Sequence, residues 1–466
     1  MPSLSVRVVA SAILVLTMLL GLAGCWDRRE LEDMGFVMTI GLDAGKDGTL
    51  ILTVQIAIPK NIVGGAGGGG GGAVGGGGGG KKVLVTSIET RSLISGLNLI
   101  NTYVARRLTL VHAKAIIIGE DLAKQGVRRY LSAFTRFREA RRTMFVIVTR
   151  GTAAELIREN QPLLEDNPAK FLELLINNST ASGLFPRILL HKFLVATELQ
   201  TEMPIAILTA VNKGGEPETK GGGGAGGRGA AGDTVREKPA EKELAGRRST
   251  TVLIRQGKPV PVPLSEGAYL AGDIPRVGGN KISFMGTAVF DGDKMVGVLN
   301  GDETRLLLMF RGEFTRGFIS IPDPAKGEFF DPIDARPARR PHIRVRRQGN
   351  HFRIDADIAL EGDILAIQSK VDYSRPEMIP VLEARVSRYL TQQAQVLVEK
   401  TQKDFKSDIF GFGDKVRHLM PTWDDLVKLH WLSKYPEADV RVRVTFKVRR
   451  VGTEFKPGTP VPSGRR

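Results

Sequence analysis

One cysteine, Cys25, serves a chain of 466 residues, so no internal disulfide can staple it and its stability must come from buried cores. Histidine is nearly as scarce. His112, His191, His342, His351, His418 and His430 are scattered, none at metal-ligand spacing with another His or Cys, which argues against a metal site. Serine nucleophiles have no setting, because neither a G-x-S-x-G elbow nor an S-x-x-K pair occurs. Carboxylates are plentiful but show no paired scheme for acid and base work. GFGDKV at Gly411 opens like a dinucleotide fingerprint, yet it lacks the third glycine and follows a helical stretch rather than a strand. These absences point away from an enzyme and from a bound cofactor or metal.

What is present is an ordinary globular composition, 42% hydrophobic and 25% charged, with two oddities: 55 Gly and a formal charge of +16. The length suits roughly 2 to 4 domains. A pI near 9.9 fits a nucleic acid or an anionic membrane surface equally well. The basic runs RFREARR (Arg136 to Arg142) and RPARRPHIRVRR (from Arg336) carry no RNA-binding aromatic pattern, so nucleic acid is not the expected partner.

The compartment is written at the start. Arg7 precedes an uncharged apolar run from Val8 to Ala23 that small residues close, as a secretory leader requires. The run is shorter than the roughly 20 residues of a spanning helix and is followed at once by Asp27, Arg28 and Arg29; a retained transmembrane anchor is the alternative. Leu22-Ala23-Gly24-Cys25 looks like a bacterial lipobox, which gives the single thiol its use: acylation by a diacylglyceryl group, with the leader 1–24 removed. Two or more acyl chains hold a protein durably to a bilayer. Trp26 then lies at headgroup depth and Arg28 and Arg29 face anionic lipid.

Beyond the anchor the pattern predicts a mixed α+β chain, multidomain, with antiparallel or mixed sheets packed by helices. MGFVMTIGLDAGKDGTLILTVQIAIP reads as a hairpin around Gly-Lys-Asp-Gly. A glycine tract over 64–82 reads as a disordered loop; its G-x-x-x-x-G-K ending puts Lys82 where a P-loop needs Ser or Thr. A helix from Arg91 (Leu93, Leu97, Ile100 and Val104 on one face), strand HAKAIIIG, a helix from Glu120 carrying Leu122, Leu131, Phe134 and Phe137, strand MFVIVT, and helices TAAELIREN and AKFLELLINN, the latter capped by Asn167-Pro168, build an N-terminal domain over 25–212. The Gly-rich, charged segment 213–250 reads as a linker dividing the chain in two. The C-terminal region, 251–456, one unit or two subdomains, offers the hairpin FMGTAVFDGDKMVGVLN, ETRLLLMFRG as helix or strand, the alternating RIDADIALEGDIL, a long helix from about Pro376 to Phe405, and the period-two strand ADVRVRVTFKVRR; residues 457–466 read as a disordered tail. Trp423 and Trp431, eight residues apart in a helical stretch, are expected on nearly one face and in the core, with an interface anchor as the alternative for either.

CWDRRELEDMGFVMTIGLD, HAKAIIIGEDLAKQGVRRYL, GTAVFDGDKMVGVLNGDETRLLLMF and SDIFGFGDKVRHLMPTWDDLVKLHW together resemble, in order, the C-subunit lipoproteins of spore germination nutrient receptors. Cys25, Trp26 and Asp27 match that family's opening motif, and Asp408, Phe410, Gly411, Phe412, Gly413, Pro421, Trp423 and Trp431 its closing one. Only the two Gly-rich inserts depart. The resemblance implies a multidomain α/β lipoprotein on the outer face of the spore inner membrane. It would be non-catalytic, partnered by two integral membrane receptor subunits, one transporter-like, and would support a nutrient-triggered signal leading to ion and dipicolinate release. A solute-binding lipoprotein that captures the germinant itself is the alternative.

Overall fold

The computed structural model describes residues 4–21, 30–58, 83–212, 251–255, 258–262, 265–323, 330–349, 351–367, 373 and 375–450. Cys25, Trp26, Asp27, Arg28 and Arg29, the tract 64–82, the segment 213–250 and the tail 457–466 lie outside the described residues.

Helix α1 (Leu4–Gly21) holds the described part of the N-terminal apolar run, and Val8, Val9, Ile13, Leu14 and Met18 on it are all exposed. Strands β1 (Met34–Ala44) and β2 (Leu50–Ala57) form the expected antiparallel hairpin, turned at Lys46–Gly48. There follow β3 (Val83–Thr90), α2 (Leu93–Ile100), β4 (Arg107–Thr109), β5 (Ala115–Gly119), α3 (Glu120–Gln125), α4 (Arg128–Arg136), β6 (Phe145–Arg150), α5 (Ala153–Glu159), α6 (Pro168–Asn177), α7 (Leu190–Glu198) and β7 (Ile205–Val211). The helix expected from Glu120 is thus two helices, because Gly126 takes φ 123° and breaks the run. Asn167 caps α6 by accepting from the N–H groups of Ala169 and Lys170, with Pro168 at the first helical position, where its missing N–H costs nothing.

The second half supplies β8 (Thr251–Arg255) and β9 (Lys258–Val262), which pair only with each other, then β10 (Ile282–Asp291), β11 (Lys294–Leu299) and α8 (Gly301–Arg311). ETRLLLMFRG is therefore helix, fixed at its start by a reciprocal capping box between Asn300 and Glu303. The chain continues with β12 (Gly317–Pro322), β13 (Phe330–Pro337), β14 (His342–Gln348), β15 (His351–Ile364), α9 (Ile379–Lys400), a π-helical turn Thr401–Phe405, α10 (Phe412–Arg417), α11 (Trp423–Leu429), α12 (Trp431–Lys434) and β16 (Asp439–Arg450).

Two sheets organise these elements, and the chain is mixed α and β throughout. The larger has nine strands in the order β11-β10-β7-β6-β5-β1-β2-β3, with β4 beside β1; its centre, β7-β6-β5-β1, is parallel and its flanks antiparallel. This sheet does not end near Asn212. Ile282 pairs with Val211, so β10 and β11, which follow the Gly-rich segment, extend the sheet begun by the N-terminal half. A long polar insertion says how far two strands are separated in sequence, and its closure costs little; it says nothing about which sheet the next strand joins.

The smaller sheet has five strands, β12-β13-β15-β14, with β16 parallel on the other edge of β15. A parallel neighbour needs a crossover, and α9 lies within it. The buried stripe of α9, Leu382, Val386, Leu390, Ala394, Leu397 and Val398, faces inward, while its polar side chains cover the free edge of β16. Ser387 and Thr391 accept from the N–H groups of Phe446 and Val444, and Gln395 donates to the Val440 carbonyl. An edge strand so occupied offers no template for another chain. From residue 30 onward no described helix is long and apolar enough to cross a membrane.

Candidate functional site

Six of the eight closing-motif residues, Asp408, Phe410, Gly411, Phe412, Gly413 and Trp431, fall where the two sheets meet, and Asp408 is the centre. After α9 the π turn ends at Lys406, whose φ of 51° swings the chain round. Asp408 then sits with no exposed surface. Its Oδ1 accepts from the N–H groups of Phe410 (3.2 Å), Gly411 (3.1 Å) and Phe412 (3.2 Å). Its Oδ2 accepts from Gly413 N–H (2.9 Å) and from the Trp431 indole N–H (2.8 Å). One carboxylate thus satisfies five donors, four of them main-chain groups that would otherwise be orphaned at the start of α10. Gly411 holds the left-handed conformation this turn needs, φ 76°. Gly413 has no room for a side chain: a Cβ there would stand 2.1 Å from the Thr201 carbonyl oxygen and 2.5 Å from Trp431 Cδ1.

The loop is tied to both sheets. On the large-sheet side Ser407 Oγ donates to the Phe290 carbonyl of β10 (2.8 Å), Met203 N–H donates to the Asp408 carbonyl (2.8 Å), and Arg311 Nη1 of α8 donates to the Ile409 carbonyl (2.8 Å). An aromatic cluster continues the seam: Phe310 lies 4.6 Å from Phe410, Phe410 stacks on Phe412 at 5.0 Å, and Trp431 meets Phe352 of β15 edge-on at 5.3 Å. Tyr435 closes the cluster, its hydroxyl 2.6 Å from Thr401 Oγ1. Burial pushes the Asp408 carboxyl up to about 6, with the hydrogen bonds from Trp431, Gly413 and Phe412 pulling the other way. What this arrangement does chemically is hold two sheets in one orientation.

The remaining motif residues part company. Trp431 is fully buried, as expected, whereas Trp423 is 49% exposed. The expectation that both lie on one face in the core is corrected for Trp423: His430 takes φ 50° and breaks the helix between them, so spacing on a continuous helix does not apply. Pro421 is exposed, just ahead of Thr422, which caps α11.

Two further features carry no motif. Asp43 at the end of β1 is buried and accepts from the N–H groups of Ala153 (2.6 Å) and Ala154 (2.9 Å), capping α5 across the sheet; burial raises its pKa. A cavity of about 360 Å³ opens between α8, β12 and α9, lined among others by Asn300, Asp302, Ile319, Tyr389, Gln393 and Leu397. Beneath it the buried Arg305 guanidinium binds Glu266 (2.9 Å), Asp302 (3.1 Å) and the Ser182 carbonyl (3.0 Å), and Lys400 binds Glu303 at 2.7 Å. Burial, then the charges of Asp302 and Glu266, push the Tyr389 hydroxyl up to about 12. Apart from the i,i+3 pair Asp302–Arg305, these contacts leave no local signal in the sequence, since they join residues 39 to 123 apart. Among the described residues no group of three or more His, Cys, Asp or Glu could hold a metal ion.

A two-sheet α/β chain locked by an Asp-Trp joint after a long crossover helix defines the class structurally, and the family follows from comparison. Residues 27–211 match the spore germination protein N-terminal domain, and residues 285–452 the C-terminal domain described as spore germination B3/GerAC like. The chain belongs to this family of spore germination proteins. It is 25% identical to spore germination protein KC of Bacillus subtilis over 97% of this chain and 98% of that one, and 22% identical to spore germination protein B3 of the same organism over 94% and 97%. The crystal structure of the GerBC protein aligns with a TM-score of 0.47 at 17% identity, covering 88% of this chain and 96% of that one.

Proposed function

We propose that this chain is the lipid-anchored, non-catalytic subunit of a germinant receptor. It is held at the outer face of the spore inner membrane by acylated Cys25 and acts through contacts with two integral membrane subunits, one transporter-like. The observation that carries the reading is likeness to spore germination proteins KC and B3 from one end of the chain to the other. The placement of the motif supports a structural rather than a catalytic role for it, because Asp408, Phe410, Phe412, Gly413 and Trp431 are buried and engaged in the joint. Trp26 at headgroup depth with Arg28 and Arg29 against anionic lipid would complete the anchor.

Replacing Cys25 with Ala tests it. Labelled fatty acid should no longer enter the protein, stable retention in the membrane fraction should be lost, and co-purification of the membrane subunits should fall with it. Continued lipid uptake by the variant, or a processed chain that keeps residues before Cys25, would sink the anchor. A second reading, capture of the germinant by this chain, is favoured by the cavity beside Tyr389 and Gln393, since small-molecule sites are concave with a few converging polar groups. Calorimetry of the full chain with candidate amino acids and sugars decides it: saturable heat favours capture, and its absence leaves the contact role.

A further inference from the structure

Three strands of the smaller sheet, β12, β14 and β16, have a strand neighbour on one side alone, and two of them are covered on the other. α9 lays Ser387, Thr391 and Gln395 along β16, and the Glu266 carboxylate accepts from the Ser320 N–H of β12 (3.3 Å). The third is β14. Its residues His342 to Gln348 pair with β15, and among the described residues nothing hydrogen-bonds to its main chain from the other side. Strand residues direct their N–H and C=O groups to one neighbour and then the other in alternation, so β14 holds out a row of main-chain donors and acceptors that no strand has taken.

The open strand is also cationic. Between Arg336 and Gly349 stand six arginines, Arg336, Arg339, Arg340, Arg344, Arg346 and Arg347, with no acidic residue among them, and all six are exposed. The carboxylates set against them come from β15: Glu361 holds Arg336 at 3.0 Å, and Asp357 and Asp355 stand 3.6 Å from Arg344 and Arg346. Two of the three are shared, Glu361 with Arg449 and Asp355 with Arg353. Among the described residues Arg339, Arg340 and Arg347 have no carboxylate partner. The helix packed against β14, α10, adds exposed Lys415 and Arg417, while its Asp414 lines a cavity with Lys192 and Arg311 of the other half.

A row of main-chain donors and acceptors is matched by another main chain; neither a nucleic acid nor a lipid headgroup carries N–H and C=O groups in alternation. Charge on an edge strand guards against pairing with like copies, and here it also selects. A second β14 laid alongside would set arginine against arginine, whereas an acidic strand would bring carboxylates to arginines that lack them. We propose that β14 is a docking edge for an extended acidic segment of a partner protein, which adds to the smaller sheet as a further strand. The main-chain ladder holds the segment and the arginines choose its charge. Neither the lipid anchor nor the cavity beside Tyr389 enters here, so a failed test would leave both standing.

The full chain is titrated with a short synthetic peptide of alternating valine and glutamate, and amide hydrogen exchange is followed by mass spectrometry. Exchange over residues 342–348 should slow severalfold as the peptide saturates, while that of β16, already covered by α9, stays as it was. Arg340→Glu together with Arg347→Glu should weaken peptide binding severalfold and leave the melting temperature unchanged, since no carboxylate holds either side chain. No slowing over 342–348 at the highest soluble peptide concentration overturns the docking edge. Equal slowing by the same peptide N-methylated at every residue, which has no main-chain donor, or by a single-stranded oligonucleotide of equal charge, reveals simple attraction of anions and overturns strand addition. Equal slowing by a peptide with lysine in place of glutamate, or unchanged binding by the doubly substituted chain, overturns the acidic assignment.

Discussion

The two sheets solve burial in opposite ways. In the larger, β5 is buried at every position, β6 and β7 at every position but the last, and β10 along all but its final residue. In the smaller, β15 alternates along its whole length, and β16 does so over most of its own. Strands covered on both faces read as continuous apolar runs, and strands covered on one face read as alternation. The uncovered face of the smaller sheet is a lattice of charge: Asp355 faces Arg344 and Arg441, and Glu361 faces Arg336 and Lys447. Individually these exposed pairs are worth little. Collectively they fix register, because a slip by one residue would carry Val440 and Val444 into water and the arginines into the core. The larger sheet is thus specified by its apolar interior and the smaller by the contrast between its faces.

The comparison breaks most sharply at the joint between them. Asp408→Ala leaves five buried donors without an acceptor, each worth about 1 to 3 kcal/mol, and the sum approaches the whole stability of a domain; the chain should fail to accumulate in folded form. Asp408→Asn keeps the shape but turns a donor toward donors, and should cost about 3 to 5 kcal/mol by denaturant unfolding. The pH dependence has a definite sign. The folded pKa of Asp408, about 6, lies above that of an unfolded aspartate, about 3.9, so the folded state binds the extra proton between those values. Its contribution is greatest below the unfolded value and is lost as pH rises through 6. The stability difference between wild type and Asp408→Asn should therefore be larger at pH 4 than at pH 7; a difference that grows with pH would show that the five donors outweigh burial.

Next comes the pair of tryptophans. Trp431→Ala empties a fully buried site against Phe352 and removes one donor to Asp408, and should cost about 3 to 5 kcal/mol. Trp423→Ala acts on a half-exposed ring and should cost under about 1 kcal/mol. Melting curves measured together with co-purification of membrane subunits sharpen the contrast: Trp423→Ala that melts normally yet loses its partners would make the exposed ring a contact.

Legibility followed the same physics. ADVRVRVTFKVRR and RIDADIALEGDIL announced period two and became β16 and β15, and HAKAIIIG and MFVIVT were readable as strands because β-branched runs were bounded by turns. The capping of α6 by Asn167 is local as well, and Asn-Pro ahead of an apolar run is enough to show it. What sequence could not show was long range. Asp408 and Trp431 were singled out by resemblance, but their hydrogen bond spans 23 residues, and the capping of α5 by Asp43 spans 110. The exposure of Trp423 turned on a single left-handed residue, His430, which carries no glycine-like signal. The joining of β10 to β7 was hidden behind the segment 213–250, whose composition suggested a division that the hydrogen-bond ladder does not make.

The smallest expected effect lies in the larger sheet, at the glycine tract between β2 and β3. Ala57 and Val83 are register partners in adjacent antiparallel strands, so the two ends of the connection already stand one strand spacing apart, about 5 Å. Between Ile58 and Val83 run 24 residues, 59 to 82, and deleting Gly64 to Gly80 leaves seven, 59 to 63 with 81 and 82. Seven residues bridge such a gap easily, since hairpin loops close with as few as two. The closure cost falls as (3/2)RT ln n, so shortening from 24 to seven stabilises by about 1 kcal/mol at most. Thermal melting should therefore stay level or rise by a few degrees. A fall of many degrees would mean that the tract packs on the sheet, and normal melting with loss of germination would make it a working element.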